Sequence, residues 1–140
     1  MSDDRKTILI IDDDPVIIMS IEKALKGEYN IISTDSAETG LDMISKQDTQ
    51  IDLVYVDLNM PGDMDGFTFI AELHLMGVAK QIPIVVISGS DNKDNIYKAL
   101  YFGAFDFINK PFVPKILQLK TKRYFEFIKP LEKRGSVSEN

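Results

Sequence analysis

The feature that most limits what this chain can fold into is a strict alternation between short, continuous apolar runs and longer stretches with helical spacing. Residues 7–12 (TILIID) form the first such run, as expected of a strand buried on both faces. Asp14 followed by Pro15 then reads as an N-cap and a first-turn proline. Ile17, Ile21 and Leu25 follow at i, i+4 and i+8, and Gly27 supplies the stop. The pattern then recurs. Strands are expected over 29–33, 52–57, 82–88 and 104–108. The second helix is expected to open on a capping box, Asp35-x-x-Glu38, with Leu41 and Ile44 on its apolar face. The third carries Phe67, Ile70, Leu73 and Met76 and ends at Gly77. The fourth covers 91–102 and is closed by Gly103, and the fifth covers 112–129 and is stopped by Pro130.

Strands and helices in strict alternation imply a parallel sheet covered on both faces. Right-handed crossovers leave few topologies, and the commonest for five strands is the flavodoxin-like order 2-1-3-4-5. The expectation is therefore α/β: a single doubly wound (βα)5 domain over 6–129, with 130–140 as a polar tail or linker stump. A length of 140 residues suits one core.

Composition narrows the function. The absence of cysteine removes disulfides and thiolate metal sites, and a lone histidine, His74, removes any site built on several imidazoles. His74 reads as a surface residue of the third helix. No apolar run approaches the ~20 residues that span a bilayer, so a soluble, cytoplasmic protein without membrane contact is expected. A net charge of −6 disfavours direct nucleic-acid binding. The charge is unevenly spread: residues 1–66 hold fifteen acids and five bases, whereas 110–134 hold eight bases and two acids.

In open parallel sheets, ligands bind beyond the carboxyl ends of the strands, where the strand order reverses. The polar residues expected there are Asp12, Asp13 and Asp14 after the first strand, Asp57 after the third, Ser88 at the end of the fourth, and Asn109-Lys110-Pro111 after the fifth. Two carboxylates ~5 Å apart at an effective dielectric of ~20 repel by roughly 3 kcal/mol, so three of them need a cation, or some would stay protonated. With oxygen ligands only, that cation is Mg²⁺, or Mn²⁺, rather than Zn²⁺. Lys110 adds a point charge suited to a phosphate oxygen. The set describes phosphoryl transfer in which a carboxylate can be the nucleophile.

Five fragments in this order resemble the receiver domain of two-component response regulators, over about residues 6–127. They are ILIIDDDP (8–15), VYVDLNMPG (54–62), DG (65–66), VVISGS (85–90) and GAFDFINKPF (103–112). The resemblance implies that Asp57 accepts a phosphoryl group from a phosphohistidine of a sensor kinase or phosphotransfer protein. It implies that Asp12, Asp13, Asp57 and the backbone carbonyl of Asn59 hold Mg²⁺, and that Ser88 and Lys110 bind phosphate. Ser88 and Phe107 would form the switch, and Lys110-Pro111 would be a cis bond. Such a module acts on itself alone, by accepting and losing phosphate, and is not otherwise an enzyme. Its output face, made by the fourth helix, fifth strand and fifth helix, would dock a partner or a second copy. Here that face carries Lys98, Tyr101, Phe105, Lys115, Lys122 and Arg123.

Three departures from the family pattern stand out. The loop NMPGDMDG has one extra residue near Gly62-Asp63, Gly89 stands where alanine is usual, and Phe107 lacks a hydroxyl. Two other readings compete. An Asp-nucleophile phosphatase of the haloacid dehalogenase type would need a second acid two residues after Asp57, where Asn59 stands. A degenerate receiver would serve only as a docking module. A flavodoxin is disfavoured because Asp12-Asp13-Asp14 would repel a phosphate. Tyr97, Tyr101, Phe102 and Phe105 read as core and surface packing. Nothing in the sequence reads as an output domain, so the chain is either a stand-alone receiver or part of a larger protein.

Overall fold

The computed structural model describes residues 4–46, 49–77, 81–89 and 92–138, with side chains through 127. The elements alternate as β1 (Thr7–Ile11), α1 (Pro15–Leu25), β2 (Asn30–Thr34), α2 (Ala37–Lys46), β3 (Leu53–Val56), α3 (Gly66–Leu75), β4 (Ile84–Ser88), α4 (Lys93–Phe102), β5 (Asp106–Asn109) and α5 (Pro114–Ser138). The strands pair in parallel in the order β2-β1-β3-β4-β5, the expected doubly wound topology.

Period-two alternation splits the sheet's side chains between two cores. Leu9, Ile11, Val54, Val56 and Val86 point to the side covered by α2, α3 and α4, against Ile44, Phe69, Ile70, Leu73 and Ala99. Ile8, Ile10, Leu53, Tyr55, Val85 and Ile87 point to the side covered by α1 and α5, against Ile21, Leu25, Leu117 and Tyr124. This is why the central strands read as unbroken apolar runs.

The differences from the expected boundaries have local causes. The cap of α2 is Ser36, whose Oγ accepts the Thr39 N–H at 3.1 Å, rather than the Asp35–Glu38 box. Ser36 directly precedes the first helical residue and so meets the free N–H groups. β4 begins at Ile84 because Pro83 has no N–H to give the ladder, although its carbonyl accepts from Val54 at 3.0 Å. Position 91, expected to open α4, lies outside the described residues; Asn92 caps that helix by accepting the Asp94 N–H at 2.8 Å. β5 starts late because the chain is still closing α4 at Ala104, whose N–H bonds the Ala99 carbonyl at 3.0 Å behind Gly103 at φ +122°. The expected stop at Pro130 is corrected: α5 starts at Pro114, a first-turn proline, and continues through Pro130 to Ser138. An interior proline forfeits its own N–H bond and favours a kink, at a cost of about 3 kcal/mol, but need not end a helix.

Two buried phenols tie β3 and β5 to α5. Thr121 Oγ donates to the Leu117 carbonyl at 2.7 Å, so Tyr55 O–H is the donor in its 2.5 Å bond to Thr121 Oγ. Tyr124 O–H donates to Asp106 Oδ2 at 2.6 Å. Burial pushes both phenols above the usual tyrosine value, and the Asp106 carboxylate pushes Tyr124 further. Because these folded-state values are raised, their contribution is fully present below about pH 10 and is lost as pH rises, when only the unfolded chain ionises. Stability should therefore fall above about pH 10 by up to about 1.4 kcal/mol per pH unit for each phenol. Urea midpoints between pH 9 and 11 check this. Tyr55→Phe should lower stability by about 1 kcal/mol near neutrality and flatten the alkaline slope. An unchanged slope would remove Tyr55 from the account.

Candidate functional site

Parallel strands place their carboxyl ends on one edge, and the residues just past those ends form one crevice. The ladder holds them in register beyond the strands proper. The Asp12 N–H bonds the Thr34 carbonyl at 3.2 Å, Asp57 bonds Ile11 at 3.0 Å, and Lys110 bonds Ser88 at 2.9 Å. Backbone bonds of the sheet thus fix the Cα positions of three site residues drawn from three strand ends.

Asp12 and Asp57 are buried, with 2% and 7% of their surfaces exposed, and Asp13 is exposed at the rim. Carboxylate oxygens of the three lie within 4.8 Å of one another. Lys110 Nζ donates to Asp12 Oδ2 at 2.8 Å and to Asp57 Oδ2 at 3.0 Å, bridging the two buried acids. The other oxygen of each acid is oriented by backbone: Asp12 Oδ1 accepts the Asp14 N–H at 2.9 Å, and Asp57 Oδ1 accepts the Asn59 N–H at 3.2 Å. Both carboxylates are therefore aimed by the turn that follows them.

Burial pushes the Asp12 carboxyl above its ordinary value, against the opposing pull of Lys110 and the Asp14 N–H. Burial also pulls Lys110 down, but its hydrogen bonds to Asp12 and Asp57 outweigh that, and it ends above the ordinary lysine value. The two partners of one ion pair thus both move up. The lysine remains charged, and its single ammonium bridges two of the three carboxylates. The surplus of oxygen donors, with no nitrogen or sulfur ligand among them, suits a hard divalent cation.

Ser88 lies fully buried at the end of β4, on the same edge. Asn59 is exposed in the loop after β3. Phe107 is half-buried and packs on the core under α3 and α4, as Phe102 does. The Lys110–Pro111 bond is cis, as expected. In the β3–α3 loop Met60 is buried and Met64 packs on the core, while residues 61–63 are exposed. Gly62, at φ +98°, makes that excursion. His74 is exposed, as expected. Tyr97 and Tyr101 are 70% and 74% exposed and stack on each other at 6.2 Å, so they belong to the surface rather than the core.

The sequence reading missed the role of one residue, Gly66. A Cβ there would lie 2.3 Å from the Asp57 carbonyl oxygen and 2.6 Å from Leu58 Cα, so only glycine lets α3 start against the strand that carries Asp57. The Asp65-Gly66 pair was the available signal, with Asp65 Oδ1 accepting the Thr68 N–H at 2.9 Å as the cap of α3.

Comparison with known proteins agrees with this architecture. The family described as "Response regulator receiver domain" matches residues 8–122. The cell cycle response regulator CtrA of Brucella ovis is 39% identical over 106 residues, 75% of this chain and 44% of that protein. The two-component response regulator ORR24 of Oryza sativa is 33% identical over 115 residues, 81% of this chain and 17% of that protein. The chain thus spans less than half the length of these relatives. A CheY-like receiver domain from Methanospirillum hungatei superposes with a TM-score of 0.80 at 28% identity, over 90% of this chain and 98% of that one. With most of its length matched by the family and its crevice formed by the motif residues, this chain belongs to the response regulator receiver domains of two-component signal transduction.

Proposed function

We propose that Asp57 accepts a phosphoryl group from a phosphohistidine on a sensor kinase or phosphotransfer protein. The observation that carries this reading is the setting of Asp57, a buried carboxylate held by Lys110 within reach of two further aspartates. An Asp57 carboxylate oxygen forms the bond to phosphorus as the phosphorus–nitrogen bond breaks, and the imidazole nitrogen keeps that electron pair. Asp12, Asp13, Asp57 and the Asn59 carbonyl would hold Mg²⁺, with Mn²⁺ as a substitute. Bound there, the ion would offset charge building on the phosphoryl oxygens. Lys110 would exchange its bond to Asp57 Oδ2 for one to a phosphoryl oxygen while keeping Asp12, and Ser88 would hydrogen-bond another.

The switch follows from the charge change. A carboxylate carrying one negative charge becomes an acyl phosphate carrying roughly two, with new acceptor oxygens. Ser88 moves toward them and Phe107 turns into the space, coupled to Ser88 by packing because it has no hydroxyl. The α4-β5-α5 face, with Tyr97, Tyr101 and Phe105 exposed, then docks an output partner or a second copy. Coupling of about 1–3 kcal/mol suffices. The extra loop residue near Gly62-Asp63 lies beside the site and tunes contact with the phosphodonor. A cytoplasmic setting fits such partners, and no helix among the described residues is long and apolar enough to cross a membrane.

Incubation with a small-molecule phosphodonor, read by intact mass, tests the assignment. Phosphate uptake should require Mg²⁺ and vanish in Asp57→Asn. Uptake undiminished in that variant would overturn the assignment, and no uptake by the native chain would leave the docking module as the better reading.

A further inference from the structure

The carboxylate of Asp106, on β5, is used three times. Its Oδ1 accepts the N–H of Phe107, the next residue of the strand, at 2.8 Å. Its Oδ2 accepts the Tyr124 O–H at 2.6 Å and Lys120 Nζ at 3.4 Å, both from α5. Tyr124 is buried, and the Phe105 ring meets it edge-on at 5.7 Å between centroids. A phenol donating to a carboxylate at this distance makes a charge-assisted bond, about twice as strong as a neutral one. The Lys120 pair is open to solvent on both sides and contributes little. One strong side-chain bond therefore fastens β5 to α5, through a residue that also holds the backbone of Phe107.

The other end of β5 is fastened to the site. The Lys110 N–H bonds the Ser88 carbonyl, and Lys110 Nζ bridges Asp12 and Asp57. β5 is an edge strand of four residues, about 13 Å long, paired with β4 on one side only. A short strand held at both ends passes a displacement at one end to the other. Helix α5 has a second and separate attachment, the buried bond from Tyr55 of β3 to Thr121, three residues before Tyr124. Thr121 can thus act as a pivot while the Tyr124 bond opens. Beyond Tyr124 the helix continues fourteen residues to Ser138, about 21 Å, so a small tilt at Thr121 becomes a larger movement at its far end.

We propose that Asp106 and Tyr124 are positioning residues of the switch: their bond latches α5 to β5 in the unphosphorylated chain and is given up when Ser88 and Lys110 turn to the phosphoryl group. The inference rests on the phosphoacceptor reading of Asp57 and names how that site is regulated. A bond present in only one of two states opposes passage to the other. By linkage, whatever opposes the switched state weakens the binding at Asp57 that favours it, and by the same factor. Removal of the latch therefore strengthens binding at Asp57, an effect that a contact serving stability alone does not have.

Beryllofluoride with Mg²⁺ serves as the phosphoryl mimic, and calorimetry reads its affinity for the full chain. Tyr124→Phe keeps the ring and loses the donor, and should bind the mimic about threefold to tenfold more tightly than the native chain. Asp106→Asn weakens the same bond by removing its charge and should also tighten binding. The double variant should gain no more than Tyr124→Phe alone, because both changes act on one bond. Lys120→Met should stay within about twofold of native. Amide exchange over residues 120–127 should rise in the native chain when the mimic is added, and should already be raised in Tyr124→Phe without it. Circular dichroism of each variant confirms the fold. Equal or weaker binding by Tyr124→Phe would overturn the proposal, as would additive gains in the double variant or the same gain in Lys120→Met. Intact mass after incubation with a small phosphodonor separates the two readings. A native chain that neither takes up phosphate nor binds the mimic removes the phosphoacceptor and the latch together, whereas normal uptake with unaltered affinity in the variants removes the latch alone.

Discussion

Lys110→Met should lower stability in metal-free buffer by about 3 kcal/mol, a large share of what holds a domain of this size together. Lys110 Nζ touches two acids whose side chains are 3% and 9% exposed, so its removal leaves buried carboxylates with no cation between them. Methionine keeps most of the volume, which isolates the charge effect from a cavity. The loss should depend on pH. Asp12 is already held above its ordinary value by burial, and without Lys110 it rises further. A group raised in the folded state stabilises at low pH and loses that contribution as pH rises through its folded value. The variant should therefore approach the native chain below the carboxylate range and diverge from it toward neutrality. Millimolar Mg²⁺ should restore part of the deficit, because the same three aspartates would then share a cation. Urea unfolding of both chains, with and without Mg²⁺, reads all three effects. A variant as stable as the native chain at pH 7 without metal would mean that water already screens these acids, and the account of the buried crevice would be wrong.

Gly66→Ala should cost about 3 kcal/mol, even though alanine is the better helix former by about 1 kcal/mol. The added Cβ would meet backbone atoms of Asp57 and Leu58 at 2.3 and 2.6 Å, and no side chain can turn aside to relieve that. Either α3 shifts away or the end of β3 does, and the second displaces Asp57 from Lys110. Phosphate uptake should therefore fall more than the fraction folded does. Gly89→Ala is the matched control. A Cβ there meets nothing within 4 Å, and stability and uptake should stay within about 0.5 kcal/mol of native. If both variants behaved alike in denaturant and in phosphate uptake, the close approach of α3 to β3 would not be holding the site.

Hydrophobic periodicity and the placement of the acids were enough to dictate the architecture and the edge on which the site lies. Apolar runs such as Ile8–Ile11 and Val85–Ile87 can be satisfied only with helices on both faces, and alternation leaves few ways to connect them. Acids placed just past such runs must gather at one sheet edge, which made Asp12, Asp13 and Asp57 legible as a group before any distance was known. Element ends were less legible, because Ser36 and Asp35 are both good caps and only the register of the finished helix chooses between them. The continuation of α5 through Pro130 opposes a sound local rule. The bridge from Lys110 to both Asp12 and Asp57 and the close approach of Gly66 to the Asp57 backbone arise only in the folded molecule. Each joins side chains or backbone across elements, up to 98 residues apart for Lys110 and Asp12, and local periodicity carries no information about which atoms meet at that range. Distances of a few ångströms, burial and the pairing of charge arise only when the sheet closes, because packing rather than propensity sets them.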